Sequence, residues 1–165
     1  MFLLATDIDE TVHDGAGAAA EFFAFWDEIS GHEPRPLLVY NTGRSLADAQ
    51  ELIESTALPE AEYIISSVGT DIYDVAAGSL LNQCSAILSP SWDIHHIWKT
   101  VSTEVPGIEL QPAIHQTQFK SSWYWEDRSP DQIQQLADML HSKGLRSQLI
   151  YSSILNLDIL PEGAY

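Results

Sequence analysis

Basic residues are scarce in this chain: 7 lysines and arginines stand against 24 aspartates and glutamates in 165 residues, a net charge of −17. No long acidic run carries the excess, so it belongs to the folded surface and not to a tail. Such a surface repels phosphate backbones and anionic lipid, which argues against nucleic-acid and membrane partners. The same field repels a small anionic substrate unless a metal ion or local donors offset it. Cysteine is nearly absent too. Cys84 stands alone, which excludes an intrachain disulfide framework and a cysteine zinc site and points to a reducing, cytoplasmic setting. Long apolar runs are also missing. The first one breaks at Asp7, too early for a secretory or membrane-spanning segment, so no targeting segment is expected.

What is present is a 45% hydrophobic share, enough for one sizeable core or two small lobes. Phe2-Leu3-Leu4-Ala5-Thr6 reads as a short strand buried on both faces, and it runs into Asp7-Ile8-Asp9-Glu10-Thr11. Ligands bind at the carboxyl ends of such strands. If the backbone stays extended, Asp7 and Asp9 point to the same side. Two acids so placed repel each other unless a cation or a shared proton relieves them. The plain alternative is a strand ending in solvated turn acids.

Residues 18–29 read as a helix, with Phe22, Phe25, Trp26 and Ile29 at helical spacing and Gly31 as its stop. A second strand over 37–40 ends in Asn41-Thr42-Gly43-Arg44. Ser45 is placed to cap a helix over 46–54 striped by Leu46, Ala49 and Ile53. A third strand over 63–65 leads into Ser66-Ser67-Val68-Gly69-Thr70. This order predicts a parallel βαβαβ unit with right-handed crossovers. The pattern then changes. Residues 71–75 and 79–81 flank Ala76-Ala77-Gly78 as a hairpin. A helix is expected over 91–101, with Ser91 as a possible cap, then strands near 108–111 and over 117–126. A second helix opens at Pro130 and closes at Gly144, before strands over 145–151 and 155–160. The fold class is therefore α/β. Residues 1–80 form a partial Rossmann-like parallel sheet, 81–160 an α+β lobe on a mainly antiparallel sheet, and 161–165 a return linker. Trp92, Trp98, Trp123 and Trp125 sit at core spacings, so packing is preferred to sugar stacking. His95 and His96 are adjacent on a helix and so do not make a metal pair.

Asp-x-Asp-x-Thr after a strand resembles the signature of the haloacid dehalogenase superfamily, and Thr42 stands where that superfamily has a hydroxyl ending the next strand. A hydroxyl followed by glycine at a helix start offers side-chain and backbone donors at the positive end of a helix dipole, which suits phosphate. VYNTGRS from Val39, SSVGTDIY from Ser66 and YSSILNLDILPEG from Tyr151 look like the matching segments of sucrose-phosphate phosphatases. QTQFKSSWY from Gln116 resembles the cap strand of those enzymes that bears a sugar-facing lysine. The likeness runs in order along nearly the whole chain.

The resemblance implies a magnesium-dependent sugar-phosphate phosphatase, with sucrose 6-phosphate the best-matched substrate. Asp7 would attack phosphorus and carry an aspartyl-phosphate. Asp9 would protonate the leaving sugar oxygen and later deprotonate water. The Asp7 carboxylate and the Asp9 backbone carbonyl would hold Mg²⁺, and Thr42 and Gly43 the phosphoryl oxygens. Alternation along the 117–126 strand sets Lys120 and Tyr124 opposite Phe119, Ser121, Trp123 and Trp125. Lys120 is then the expected sugar-hydroxyl donor, with Gln116 and Gln118 on the same alternation. The plain alternative for Lys120 is a solvated sheet lysine. Arg44 either steadies phosphate or is a surface arginine. Two family elements have no counterpart in these residues: the Lys-Gly segment expected just after Pro161-Glu162-Gly163, and a Gly-Asp-x-x-x-Asp metal loop. The first strand is therefore expected to have an open edge, paired in trans by a second copy or a complementing chain. Weak activity of this chain by itself is expected with it. The alternative is a non-catalytic sugar- or sugar-phosphate-binding module.

Overall fold

The computed structural model describes residues 2–81, 86–88, 90 and 92–164, so Cys84 and the possible cap Ser91 lie outside the described residues. The chain divides into two compact units, Met1–Leu81 and Asn82–Tyr165. No helix among the described residues is long and apolar enough to cross a membrane.

In the first unit β1 (Leu3–Thr6), β2 (Leu37–Asn41) and β3 (Tyr63–Ser66) pair in parallel through α1 (Ala18–Ser30) and α2 (Leu46–Ser55). Ser45 caps α2 as expected, its side chain accepting the Asp48 N–H at 3.2 Å. β4 (Asp71–Asp74) and β5 (Ser79–Leu80) extend the same sheet antiparallel, in the order β1-β2-β3-β4-β5. The expected hairpin is thus the far end of a mixed sheet. The core gathers Ile8, Val12, Trp26, Leu38, Tyr40, Ala49 and Ile64 under Ala19, Phe22 and Ile29 of α1 and Leu46, Leu52 and Ile53 of α2. Tyr40 is fully buried and donates its hydroxyl to the Pro59 carbonyl at 2.9 Å. Burial raises its pKa above the usual phenol value.

Two expectations fail here. β1 is not buried on both faces: Leu4 packs on the core, but Leu3 is 63% and Phe2 66% exposed. The reason is that α1 and α2 both pack on the Leu4 face of the sheet, which leaves Leu3 on the other face. Phe25 is likewise half exposed although its ring lies 6.3 Å from Phe22. Ala19, Phe22, Trp26 and Ile29 fill the stripe that faces the sheet, which turns Phe25 away.

The second unit runs α3 (Ile94–Glu104), β6 (Glu109–Leu110), β7 (Ser121–Tyr124), α4 (Pro130–Ser142), β8 (Ser147–Ser152) and β9 (Asn156–Pro161). The repeated helix-strand-strand order builds an antiparallel sheet, β6-β7-β9-β8. Trp123, Trp125, Ile97, Val101, Leu136, Leu140, Leu157 and Ile159 form its core, with Trp92 and Trp98 packed against it. The tryptophans here are therefore packing residues. α3 begins three residues later than expected because Asp93 caps it, accepting the His96 N–H at 3.0 Å. Ser129 and Gln132 form a reciprocal capping box on α4 with Pro130 at its first turn.

The long 117–126 strand is also shorter than expected. A 3₁₀ turn at Ala113–His115 and a bridge from the Thr117 N–H to the Lys120 carbonyl, at 3.0 Å, precede β7, which starts at Ser121. Gln116 and Gln118 therefore leave the strand alternation.

Candidate active site

Because β1, β2 and β3 are parallel, their carboxyl-end loops emerge at one end of one sheet. In the first loop, exposed Asp7 and half-buried Asp9 flank Ile8, which is sealed in the core. The Ile8 carbonyl accepts the N–H groups of Thr11, Val12 and His13 at 3.4, 3.1 and 2.9 Å, and buried Val12 pins the far side. This closes a tight loop in which Glu10 adopts φ 56°. Asp7 Oδ1 accepts the Ile8 N–H at 2.8 Å. Just beyond, Asp14 Oδ1 accepts the N–H groups of Ala16, Gly17 and Ala18 at 2.8, 3.0 and 3.1 Å and so begins α1, whose N-cap Gly17 has no side chain to do so. Those bonds, led by Gly17, lower the Asp14 pKa to about 2.

In the second loop Thr42 is buried, and its Oγ1 accepts the Arg44 N–H at 3.2 Å while keeping its own proton to donate. Arg44 is neither a free surface arginine nor aimed at a separate anion site. Its Nε meets Asp9 Oδ2 at 2.9 Å and Oδ1 at 3.2 Å, and its Nη2 meets Oδ1 at 2.7 Å. The Asp9 hydrogen bonds raise the Arg44 pKa further. Here is the cation that relieves the acid pair. With the side chains 35% and 44% exposed, the ion pair contributes only about 0.2–1 kcal/mol to stability. Its larger effect is to join the first loop to the second.

The third loop, after β3, is strained. Ser67, Val68 and Gly69 take φ of 54°, 60° and 84° in succession, and a β-branched residue in that region is an outlier. Ser66 and Ser67 are fully buried, with hydroxyl oxygens that have no hydrogen-bond partner. Sequence reading placed this loop at the end of the third strand but missed the left-handed backbone of Ser67 and Val68, since only Gly69 signals one. It also missed Asp14, although an aspartate three residues before a glycine at a helix start is a legible cap.

Gln116, Gln118 and Lys120 belong to the second unit. Lys120 is only 7% exposed, which rules out the solvated-lysine alternative. Gln116 is committed to backbone. Its Nε2 donates to the Gln111 and Ser122 carbonyls at 3.0 and 2.8 Å, and its Oε1 accepts the Ser122 N–H at 2.9 Å. Gln118 is exposed, and its carbonyl accepts the Trp92 indole N–H at 2.7 Å.

Among the described residues no group of three or more His, Cys, Asp or Glu could hold a metal. Mg²⁺ typically uses one or two carboxylates, waters and substrate phosphate. The exposed Asp7 carboxylate suits that demand. The Asp9 carboxylate is occupied by Arg44, which leaves the Asp9 main-chain carbonyl as its remaining oxygen donor.

A parallel three-strand core carrying Asp-x-Asp-x-Thr on its first loop and Thr-Gly on its second defines a haloacid dehalogenase-type α/β protein. A haloacid dehalogenase-like hydrolase from Bacteroides thetaiotaomicron shares the fold at 12% identity, with a TM-score of 0.61 over 99% of this chain and 72% of that one. A family model described as Sucrose-6F-phosphate phosphohydrolase matches residues 1–165, and the chain belongs to that family. It is 32% identical over 162 residues to a mannosylfructose-phosphate phosphatase of Agrobacterium fabrum, covering 98% of this chain and 64% of the relative. It is 30% identical over 167 residues to sucrose-phosphatase 2 of Nicotiana tabacum, covering 98% of this chain and 39% of that relative. The structure of the sucrose-phosphatase from Synechocystis in complex with sucrose and phosphate matches with a TM-score of 0.82 at 29% identity, over 98% of this chain and 64% of that chain. The chain thus spans less than two thirds of the length of the sucrose- and mannosylfructose-phosphatase relatives.

Proposed function

We propose that this chain carries the nucleophile half of a magnesium-dependent sugar-phosphate phosphatase, with sucrose 6-phosphate as the best-matched substrate. The observation that carries the reading is the Arg44–Asp9 pair, because it ties the Asp-x-Asp loop to the Thr42-Gly43 loop at the carboxyl end of one sheet. Asp7, exposed and without a guanidinium on it, is the nucleophile and carries the phosphoryl group as an acyl phosphate. Asp9 is the acid/base for the leaving sugar oxygen and the attacking water, a role that requires its carboxylate to be released from Arg44 and protonated when substrate binds. Thr42 and Gly43 hold the phosphoryl oxygens at the start of α2, the buried Thr42 hydroxyl having its own proton to donate. The Asp7 carboxylate and the Asp9 carbonyl would hold Mg²⁺, which when bound offsets the charge of the acids and the phosphate. The second unit is read as the substrate-specificity cap, with Lys120 and Gln118 as its sugar-binding residues, while Gln116 acts through the backbone it holds.

The rest of the catalytic wall comes from polypeptide outside these 165 residues, along the same protein or on a second chain, and also pairs the open edge of β1. Exposed Phe2 and Leu3 support this, as does the share of the relatives' length that the chain covers. The single cysteine fits a reducing compartment such as the cytoplasm.

The test is phosphate release from sucrose 6-phosphate with Mg²⁺, comparing the chain with Asp7→Asn. The reading expects release above the variant. Equal rates together with measurable sucrose binding would favour a non-catalytic binding module. Pairing of β1 is checked by light scattering and amide exchange along residues 3–8; a clean monomer with labile amides there contradicts it.

A further inference from the structure

We infer that the Ser66–Thr70 turn is a positioning device for the phosphate loop, acting through its backbone N–H groups; this deepens the phosphatase reading and rests on it for the identity of the ligand. The turn reaches both sides of Gly43. The Ser67 N–H donates to the Arg44 carbonyl at 2.7 Å, and the Val68 N–H donates to the Thr42 carbonyl at 3.3 Å. The Thr42 N–H in turn donates to the Ile65 carbonyl at 2.9 Å. A Cβ built on Gly43 would meet Val68 Cγ2 at 4.0 Å, so the Val68 side chain lies beside the glycine with room for a methyl group between them.

The left-handed run makes this grip possible. It swings two consecutive N–H groups, those of Ser67 and Val68, toward the neighbouring loop, where an extended continuation of β3 would alternate them. The turn holds itself in that shape. The Gly69 N–H donates to the Ser66 carbonyl at 3.1 Å, and the buried Thr70 hydroxyl donates to the Ser67 carbonyl at 3.0 Å. Two unfavourable features, left-handed non-glycine backbone and partnerless buried hydroxyls, coincide in one segment. Such strain persists where the surrounding structure over-determines it, and it clusters at functional sites. Here the segment it touches is the one that offers Thr42 and Gly43 to an anion. Ser67 and Val68 are positioning residues, since their contacts are with the loop.

The experiment uses the ¹⁵N-labelled chain, titrated with inorganic phosphate in Mg²⁺ and followed at the Gly43 and Arg44 amides, with amide exchange measured at Thr42 and Arg44. Gly69→Ala places a side chain at φ 84°, and Gly78→Ala does the same at φ 63° in the β4–β5 turn, away from the phosphate loop. The two variants are expected to lose similar thermal stability. Gly69→Ala alone should speed exchange at Thr42 and Arg44 and weaken phosphate by about tenfold, while Gly78→Ala stays within about twofold. If Gly69→Ala does not fold, Val68→Gly takes its place: it keeps the N–H but removes the side chain beside Gly43 and frees the turn's backbone, so it should speed exchange at Thr42 and Arg44 and weaken phosphate. Identical behaviour of Gly69→Ala and Gly78→Ala, or unchanged exchange at Thr42 and Arg44 in Val68→Gly, overturns the inference. If the unmodified chain binds no phosphate, the phosphatase reading fails, and the exchange data still decide whether the turn positions the loop.

Discussion

Truncating Gln116 to alanine isolates an interaction that sequence alternation assigned to substrate and the structure assigns to backbone. The Gln116 amide stands in for a missing piece of strand between the 3₁₀ turn and β7, bonding the Gln111 carbonyl and both backbone groups of Ser122. After truncation the Ser122 carbonyl keeps the Gln111 N–H at 3.0 Å, but the Ser122 N–H loses its acceptor. Ser122 is 1% exposed, so water cannot replace it. One buried donor left unsatisfied costs about 1–3 kcal/mol. For a chain of this length each kcal/mol lowers the melting temperature by about 2–4 °C. Gln116→Ala should therefore melt roughly 2–12 °C lower. Tryptophan fluorescence is a suitable probe, since Trp92, Trp98, Trp123 and Trp125 all lie in the second unit and only Trp26 lies in the first. An unchanged melting curve with a large loss of sugar affinity would refute the assignment and return Gln116 to the sugar site.

Tyr40→Phe should cost about 0.5–1.5 kcal/mol in urea unfolding, because it deprives the Pro59 carbonyl of its buried donor. The Asp14 cap predicts a pH dependence of the first unit. Its folded pKa is depressed to about 2, so its contribution is fully present above the ordinary carboxylate range and is lost as pH falls toward 2. Asp14→Ala should flatten that acid limb, as read by acid titration of far-ultraviolet circular dichroism. Arg44→Ala should change stability by no more than about 1 kcal/mol, as suits a part-exposed pair, and yet lower phosphate release, because it unties the Asp9 loop. Equal losses of stability and activity would make Arg44 merely structural.

Much of the fold was legible because local signals agreed with tertiary ones. Ser45 as a cap, the Ala49 stripe, the Pro130 start and the strand-to-polar junctions at Asp7, Asn41 and Ser66 each specify one conformation. What failed depended on neighbours. Leu3 looks like a core residue in sequence, and it is exposed because α1 and α2 both pack on the opposite, Leu4 face of the sheet. The 117–126 alternation was apolar enough for a continuous strand, but Gln116 and Thr117 hydrogen-bond a local turn instead. At the candidate site the sequence supplied Asp7, Asp9, Thr42 and Gly43 in order. It could not supply the Arg44–Asp9 pair, whose members are 35 residues apart and meet only when β1 and β2 align. Nor could it supply the left-handed Ser67 and Val68, which carry no glycine to signal them.

The central claim is that Asp7 is the residue that receives the phosphoryl group. It is tested most directly by exposing the protein to labelled sucrose 6-phosphate with Mg²⁺, quenching in acid and mapping the labelled peptide. The account predicts a hydroxylamine-sensitive acyl phosphate on the peptide containing Asp7, absent in Asp7→Asn and formed more slowly, but on the same peptide, in Asp9→Asn. Phosphate release with no label on that peptide, or undiminished labelling in Asp7→Asn, would contradict it.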